Sequence, residues 1–162
     1  MFKKKIILVT LGVLLFISAS VIYVKQKGLY TFLGAGSVQR IESVEAAELI
    51  TEKDPVILDA RTIEEFETSH LKKSLRFEES LLSSLNKEQP ILIYCTVGVR
   101  SNRVAKALSD AGYKEVYDMK DGILGWANQE YPLIDNSGEL TNQIHTYNKS
   151  FAPLLKKGTA VY

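Results

Sequence analysis

Short apolar runs alternate with helical patterns along this chain, and that alternation limits it to an α/β fold: a mostly parallel sheet with helices on both faces. The clearest run is Ile91-Leu92-Ile93-Tyr94, opened by Pro90 and closed by Cys95. Val56-Ile57-Leu58, between Asp54-Pro55 and Asp59, has the same unbroken apolar character, which marks strands buried on both faces. Residues 38–41, 74–77 and 116–117 supply further strands, so about five are expected. Between them the patterns predict a helix over 44–50 with Ser43 as N-cap and an acidic-started helix over 78–85. Thr62 and Glu65 are spaced as a capping box for a short helix through Phe66. Residues 101–111 place Val104, Ala107, Leu108 and Ala111 on one helical face and end at Gly112, the position of a C′ glycine. A final turn or two of helix over 123–128 carries Trp126 as a core residue.

The first 27 residues read differently. Nineteen residues, 6–24, carry no charge, close to the roughly 20 needed to cross a bilayer as a helix. Lys3, Lys4 and Lys5 precede this run, and Lys25 and Lys27 close it. The very short N-terminus and the slight lysine excess ahead of the run place the start in the cytoplasm and the domain outside, in a periplasmic or extracellular space. A signal anchor is the expectation. A cleaved signal peptide at Ser18-Ala19-Ser20 is the alternative, against which Val21-Ile22-Tyr23-Val24 prolongs the apolar run; it would release a secreted domain. The chain thus divides into a membrane segment (1–27), a glycine-containing linker (28–36), the α/β domain (37–133) and a C-terminal extension (134–162).

Charge narrows the partners. With five lysines before Gly28, the remainder holds fifteen basic against nineteen acidic residues, a net of −4 that argues against nucleic acid. One cysteine excludes an intramolecular disulfide, and two histidines far apart in sequence do not suggest a zinc site. His70 reads as a loop-packing residue.

Cys95 stands at the carboxyl end of the best strand, where ligands bind in open α/β sheets. Thr96, Val97, Gly98, Val99 and Arg100 lead from it into a helix at Ser101. Such a loop curls its backbone N–H groups inward, and amides at a helix N-terminus form an anion site that favours a thiolate over a thiol. Arg100 adds positive charge at the rim, and Gly98 permits a left-handed turn or a close backbone approach. A lone cysteine is most often a small core hydrophobe. The order of strand, cysteine, glycine, arginine and helix instead favours a nucleophile.

Val56-Ile57-Leu58-Asp59-Ala60-Arg61, Glu65-Phe66, Ser69-His70-Leu71, the run from Tyr94 to Ser101, and Gly122-Ile123-Leu124-Gly125-Trp126 together resemble a single-domain rhodanese. The resemblance covers about residues 38–132. It implies a rhodanese fold and a sulfurtransferase in which Cys95 attacks a sulfane sulfur, such as the outer sulfur of thiosulfate, and passes the persulfide sulfur to cyanide or a thiol. Thr96 to Arg100 would bind the anion, Arg100 would offset its charge, and no metal or organic cofactor is implied. Four residues separate Cys95 from Arg100, whereas the cysteine phosphatases that resemble this pattern have five; the shorter ring suits a sulfur-sized group. Many thiosulfate-using members carry a basic residue directly after the cysteine, and this chain has Thr96, which leaves a persulfide donor open.

Asp59 and Arg61, with Ser101, are supporting candidates; the first two end a strand on the same sheet edge as Cys95 and read foremost as a hydrogen-bonded ion pair. The segment TNQIHTYNKSFAPLL resembles an extension of some exported rhodanese-like proteins and either packs across the domain or binds a partner. Two other functions compete with sulfur transfer: a noncatalytic sulfur-carrier or redox-sensing module, and a phosphatase or arsenate reductase.

Overall fold

The computed structural model describes residues 37–162. The membrane run expected over 6–24 and the linker over 28–36 lie outside the described residues. Among the described residues no helix is long and apolar enough to cross a membrane.

The elements follow in the order β1 (Ser37–Ile41), α1 (Ser43–Lys53), β2 (Val56–Asp59), α2 (Ile63–Thr68), β3 (Leu75–Arg76), a 3₁₀ turn (Glu79–Ser83), β4 (Ile91–Tyr94), α3 (Val99–Asp110), β5 (Glu115–Met119) and α4 (Gly122–Asn128). The five strands form one parallel sheet in the order β1-β5-β4-β2-β3. β4 lies at its centre and all four of its residues are buried, which explains its unbroken apolar run. Successive residues point to opposite faces. Leu92 and Tyr94 pack with Ala46 and Leu49 of α1 and Ile123, Leu124 and Ala127 of α4. Ile91 and Ile93 pack on the other face with Ala105 and Leu108 of α3. Trp126 joins the first of these clusters and its indole N–H donates to the Pro132 carbonyl at 3.1 Å.

Three expectations change in detail. The cap of α1 is Glu42, which forms a capping box with Glu45; Ser43 is the first helical residue, and its hydroxyl donates instead to Asp121 at 2.7 Å. The helix expected over 78–85 is a 3₁₀ turn, because the hydroxyls of Ser83 and Ser84 donate to carbonyls three residues back and compete with helix extension. α3 begins at Val99, two residues early: Gly98, at φ 78°, turns the chain and serves as N-cap.

The extension folds onto the domain. β6 (Gln143–His145) and β7 (Thr159–Val161) pair in parallel, with a 3₁₀ turn (Ala152–Leu154) between them. Ile144 is buried in the same cluster as Leu92 and Tyr94. Asn128 at the end of α4 clamps the extension's far side, donating to the Leu154 carbonyl at 3.0 Å and accepting from the Lys156 amide at 2.6 Å.

Candidate active site

Parallel strands bring their carboxyl ends to one edge, and the sheet register places Asp59 beside Tyr94 and Ile93 beside Asp118. Cys95 follows directly, 1% exposed, and the chain then reverses into α3. The first-turn amides of a helix have no intrahelical acceptor, so those after Gly98 remain available to a ligand at the sulfur.

α4 holds the other side of this loop. The Ile123 amide donates to the Cys95 carbonyl at 2.8 Å, and the Leu124 amide donates to the Thr96 carbonyl at 3.3 Å. Two glycines make that approach feasible. Gly122 has φ 60°, and a Cβ there would overlap the Cys95 and Thr96 backbone; a Cβ on Gly98 would overlap the Lys120 backbone.

Arg100 faces Glu65. Its two terminal nitrogens donate to the two carboxylate oxygens of Glu65, each at 2.7 Å, and Nη2 also donates to the Thr96 hydroxyl at 2.8 Å. The Thr96 hydroxyl in turn donates to Glu65 at 2.8 Å, and Glu65 completes the α2 capping box with Thr62. Burial of Glu65 alone would raise its pKa, but Arg100, the Thr62 amide and Thr96 outweigh it and hold the carboxyl at about 2. The guanidinium expected to offset a donor's charge is therefore already paired with a buried carboxylate.

Ser101 lies behind the sulfur. Its hydroxyl is 3.7 Å from Cys95 Sγ and 2.6 Å from Asp118 Oδ1. One hydroxyl proton serves one acceptor at a time, and the shorter contact is to Asp118. That aspartate is fully buried and also accepts from Arg40 Nε at 2.9 Å and Asn102 Nδ2 at 3.0 Å.

Asp59 and Arg61 form a buried bidentate pair, with Arg61 Nη2 2.7 Å from Asp59 and 2.6 Å from the Ser69 carbonyl. Burial opposes the Arg61 charge, and the Asp59 carboxylate more than restores it. This pair fastens the loop after β2 to the end of α2, and neither residue lines the cavity above Cys95. His70 stacks on Phe66 at 3.9 Å and its Nδ1 lies 2.9 Å from the Phe66 carbonyl, a packing role. Among the described residues no group of three His, Cys, Asp or Glu side chains is placed to hold a metal ion.

The cavity above the sulfur measures about 190 Å³. Cys95, Thr96, Val97, Val99 and Arg100 form its floor and walls, and Tyr147 and Phe151 of the extension form its roof. A larger groove of about 710 Å³ runs between α4 and the extension, but none of its lining belongs to the Cys95 loop.

The rhodanese-like domain model matches residues 42–129, more than half of the chain. The chain belongs to the rhodanese-like family. It is 35% identical over 92 residues to the thiosulfate sulfurtransferase GlpE of Coxiella burnetii, covering 54% of this chain and 86% of that protein. It is also 35% identical over 86 residues to the tRNA uridine(34) hydroxylase of Pelagibacter ubique, covering 49% of this chain but only 29% of that one. The crystal structure of a rhodanese-like domain protein from Staphylococcus aureus superposes with a TM-score of 0.50 at 26% identity, over 64% of this chain and 98% of that one. Relatives with such different names share the domain, so membership by itself fixes the fold and not the reaction.

Within this rhodanese-like site, the sequence alone does not point to Asp118, Tyr147 or Phe151, and it gives Glu65 only a capping role. Asp118 does carry a legible signal, a carboxylate at a strand end on the same edge as Cys95. The roof carries none, because no periodicity ties residues 147 and 151 to a loop some fifty positions earlier.

Proposed function

We propose that this protein is a sulfurtransferase that carries sulfane sulfur as a persulfide on Cys95, from thiosulfate or a persulfide donor to a thiol or cyanide. The observation that carries the reading is the position of Cys95: at the floor of a small cavity, between the end of β4 and the first turn of α3. In the first half-reaction the Cys95 thiolate attacks the outer sulfur of the donor. An Sγ–S bond forms, the donor's S–S bond breaks, and sulfite or a thiolate leaves with the electron pair. In the second, cyanide or a thiolate attacks the outer sulfur and returns the Cys95 thiolate. The relative named thiosulfate sulfurtransferase supports this chemistry. Phosphate chemistry is disfavoured because Arg100 is engaged by Glu65 and not free to bind phosphoryl oxygens in a fork.

The test is intact mass spectrometry of the full chain in mild detergent after exposure to thiosulfate or a hydropersulfide. The wild type should gain one sulfur atom, lose it to cyanide, and gain none as Cys95→Ser. Loading without turnover would move the function to a sulfur carrier, and no loading from folded, reduced protein would end the sulfurtransferase reading.

We further propose that residues 6–24 anchor the protein with its N-terminus in the cytoplasm and the catalytic domain outside, the long uncharged run being the support. The protein should then stay in the membrane pellet after alkaline extraction, and its domain should be cut by protease added to the outer face of the membrane. Full protection in sealed cells or spheroplasts would reverse the orientation, and release at alkaline pH would remove the anchor.

A further inference from the structure

The roof over Cys95 comes from sequence beyond the region matched by the family, which ends at residue 129. It is a built feature. Thr146 is fully buried, its amide donating to the Val161 carbonyl at 2.9 Å and its hydroxyl to the Asn148 carbonyl at 3.2 Å. The Tyr147 amide donates to His145 Nδ1 at 3.1 Å, and the Ser150 and Phe151 amides donate to Asn148 at 2.9 and 3.1 Å. These bonds fix the loop so that the Tyr147 ring lies over the Arg100 guanidinium, 5.0 Å from ring centroid to guanidinium carbon, and meets Phe151 edge-on at 6.0 Å. Tyr147 holds φ 70°, a left-handed conformation costly for a tyrosine, so the surrounding contacts impose it.

The consequence is a limit on size. At about 190 Å³ the cavity is smaller than the roughly 300–1,000 Å³ of sites for drug-sized ligands. Cys95, 1% exposed, lies at the bottom, so a donor must enter the cavity to present its outer sulfur. Val97, Val99 and the two aromatic rings give the cavity an apolar wall.

We propose that Tyr147 and Phe151 are specificity-determining residues, which admit compact hydropersulfides to Cys95 and hold back those with a body as large as a tripeptide. This rests on the sulfurtransferase reading. The step is the same for either donor: Cys95 Sγ bonds to the terminal sulfur of R–S–SH, the R–S–SH sulfur–sulfur bond breaks, and RS⁻ leaves with the electron pair and takes a proton from water.

The experiment compares cysteine hydropersulfide with glutathione hydropersulfide, two donors with the same reacting group and different bulk. Loading rates are measured by rapid-quench mass spectrometry on the full chain as wild type, Tyr147→Gly, Phe151→Ala, the double variant and Tyr147→Phe. Tyr147→Gly removes the ring at a backbone position that glycine tolerates, which guards against a folding defect. The wild type should favour the cysteine donor by about tenfold or more in kcat/KM, the scale at which a pocket discriminates by bulk. The Gly and double variants should lose most of that preference through faster loading from glutathione hydropersulfide, while Tyr147→Phe retains it. Equal loading by both donors in the wild type, or a preference unchanged in the double variant, overturns the filter and leaves the sulfurtransferase reading intact. No Cys95-dependent adduct with any donor overturns both.

Discussion

Gly122→Ala is expected to cost about 3–5 kcal/mol of stability, the sum of a left-handed alanine and an overpacked backbone contact. The added Cβ meets the carbonyls of Cys95 and Thr96, which accept the Ile123 and Leu124 amides, so α4 must back away from the Cys95 loop. Its melting temperature should fall by roughly 10–20 °C. Sulfur loading should slow by about a hundredfold, as expected when a nucleophile is misplaced by around an ångström. Gly138→Ala supplies the control: φ there is 86°, yet nothing lies within 4 Å of the new Cβ, so only the backbone cost of about 1–2 kcal/mol applies. If the two variants melt together, the contact between α4 and the loop is not what Gly122 protects.

The second large effect concerns acid. Glu65 titrates at about 2 in the folded protein against an ordinary 4.5, so the native state binds its proton less readily than the unfolded chain does. A carboxyl depressed in this way contributes stability that is present above the unfolded value and is lost as pH falls from about 4.5 toward 2. The size is about 3 kcal/mol at neutral pH, since each pH unit between the folded and unfolded values is worth roughly 1.4 kcal/mol. Glu65→Gln should therefore be less stable than wild type by about that amount at pH 7, and the two should converge near pH 2. Urea unfolding at pH 7, 5, 4 and 3 measures the difference. An identical acid slope in both proteins would assign acid sensitivity to carboxylates other than Glu65.

The acid sensitivity expected of Glu65 and the proposed donor filter meet at Arg100. Its guanidinium lies between the Glu65 carboxylate, which compensates its charge, and the Tyr147 ring, which covers it. The site thus places the Cys95 sulfur beneath a small apolar-walled cavity rather than beneath a free cation. A conventional expectation from the Cys-to-Arg loop, that arginine faces the donor, depends on nothing else in the fold competing for it. Here α2 competes, because the same Glu65 that closes its capping box lies within reach of both Thr96 and Arg100.

Local chemistry determined much of this protein directly from its residues. The continuous apolar run of β4, the Thr62–Glu65 capping box and Gly112 at the end of α3 are each set by neighbours within a few positions, and the structure contains all three. The placement of Cys95 at a strand end followed by a helix belongs to the same class, since right-handed parallel connections leave few alternatives. Other features were decided only by tertiary structure. Ser43 surrendered the cap of α1 because Asp121, distant in sequence, offers its hydroxyl an acceptor. Arg100 turned to Glu65 because two strand ends bring α2 and α3 to one edge. Tyr147 and Phe151 reached Cys95 because Ile144 is buried in the main core and Thr146 is pinned to β7, contacts that only the folded chain brings together. Short-range hydrogen bonding and hydrophobic pattern are written in consecutive residues, whereas the competition among distant partners for one charge or one surface is settled when the whole chain packs.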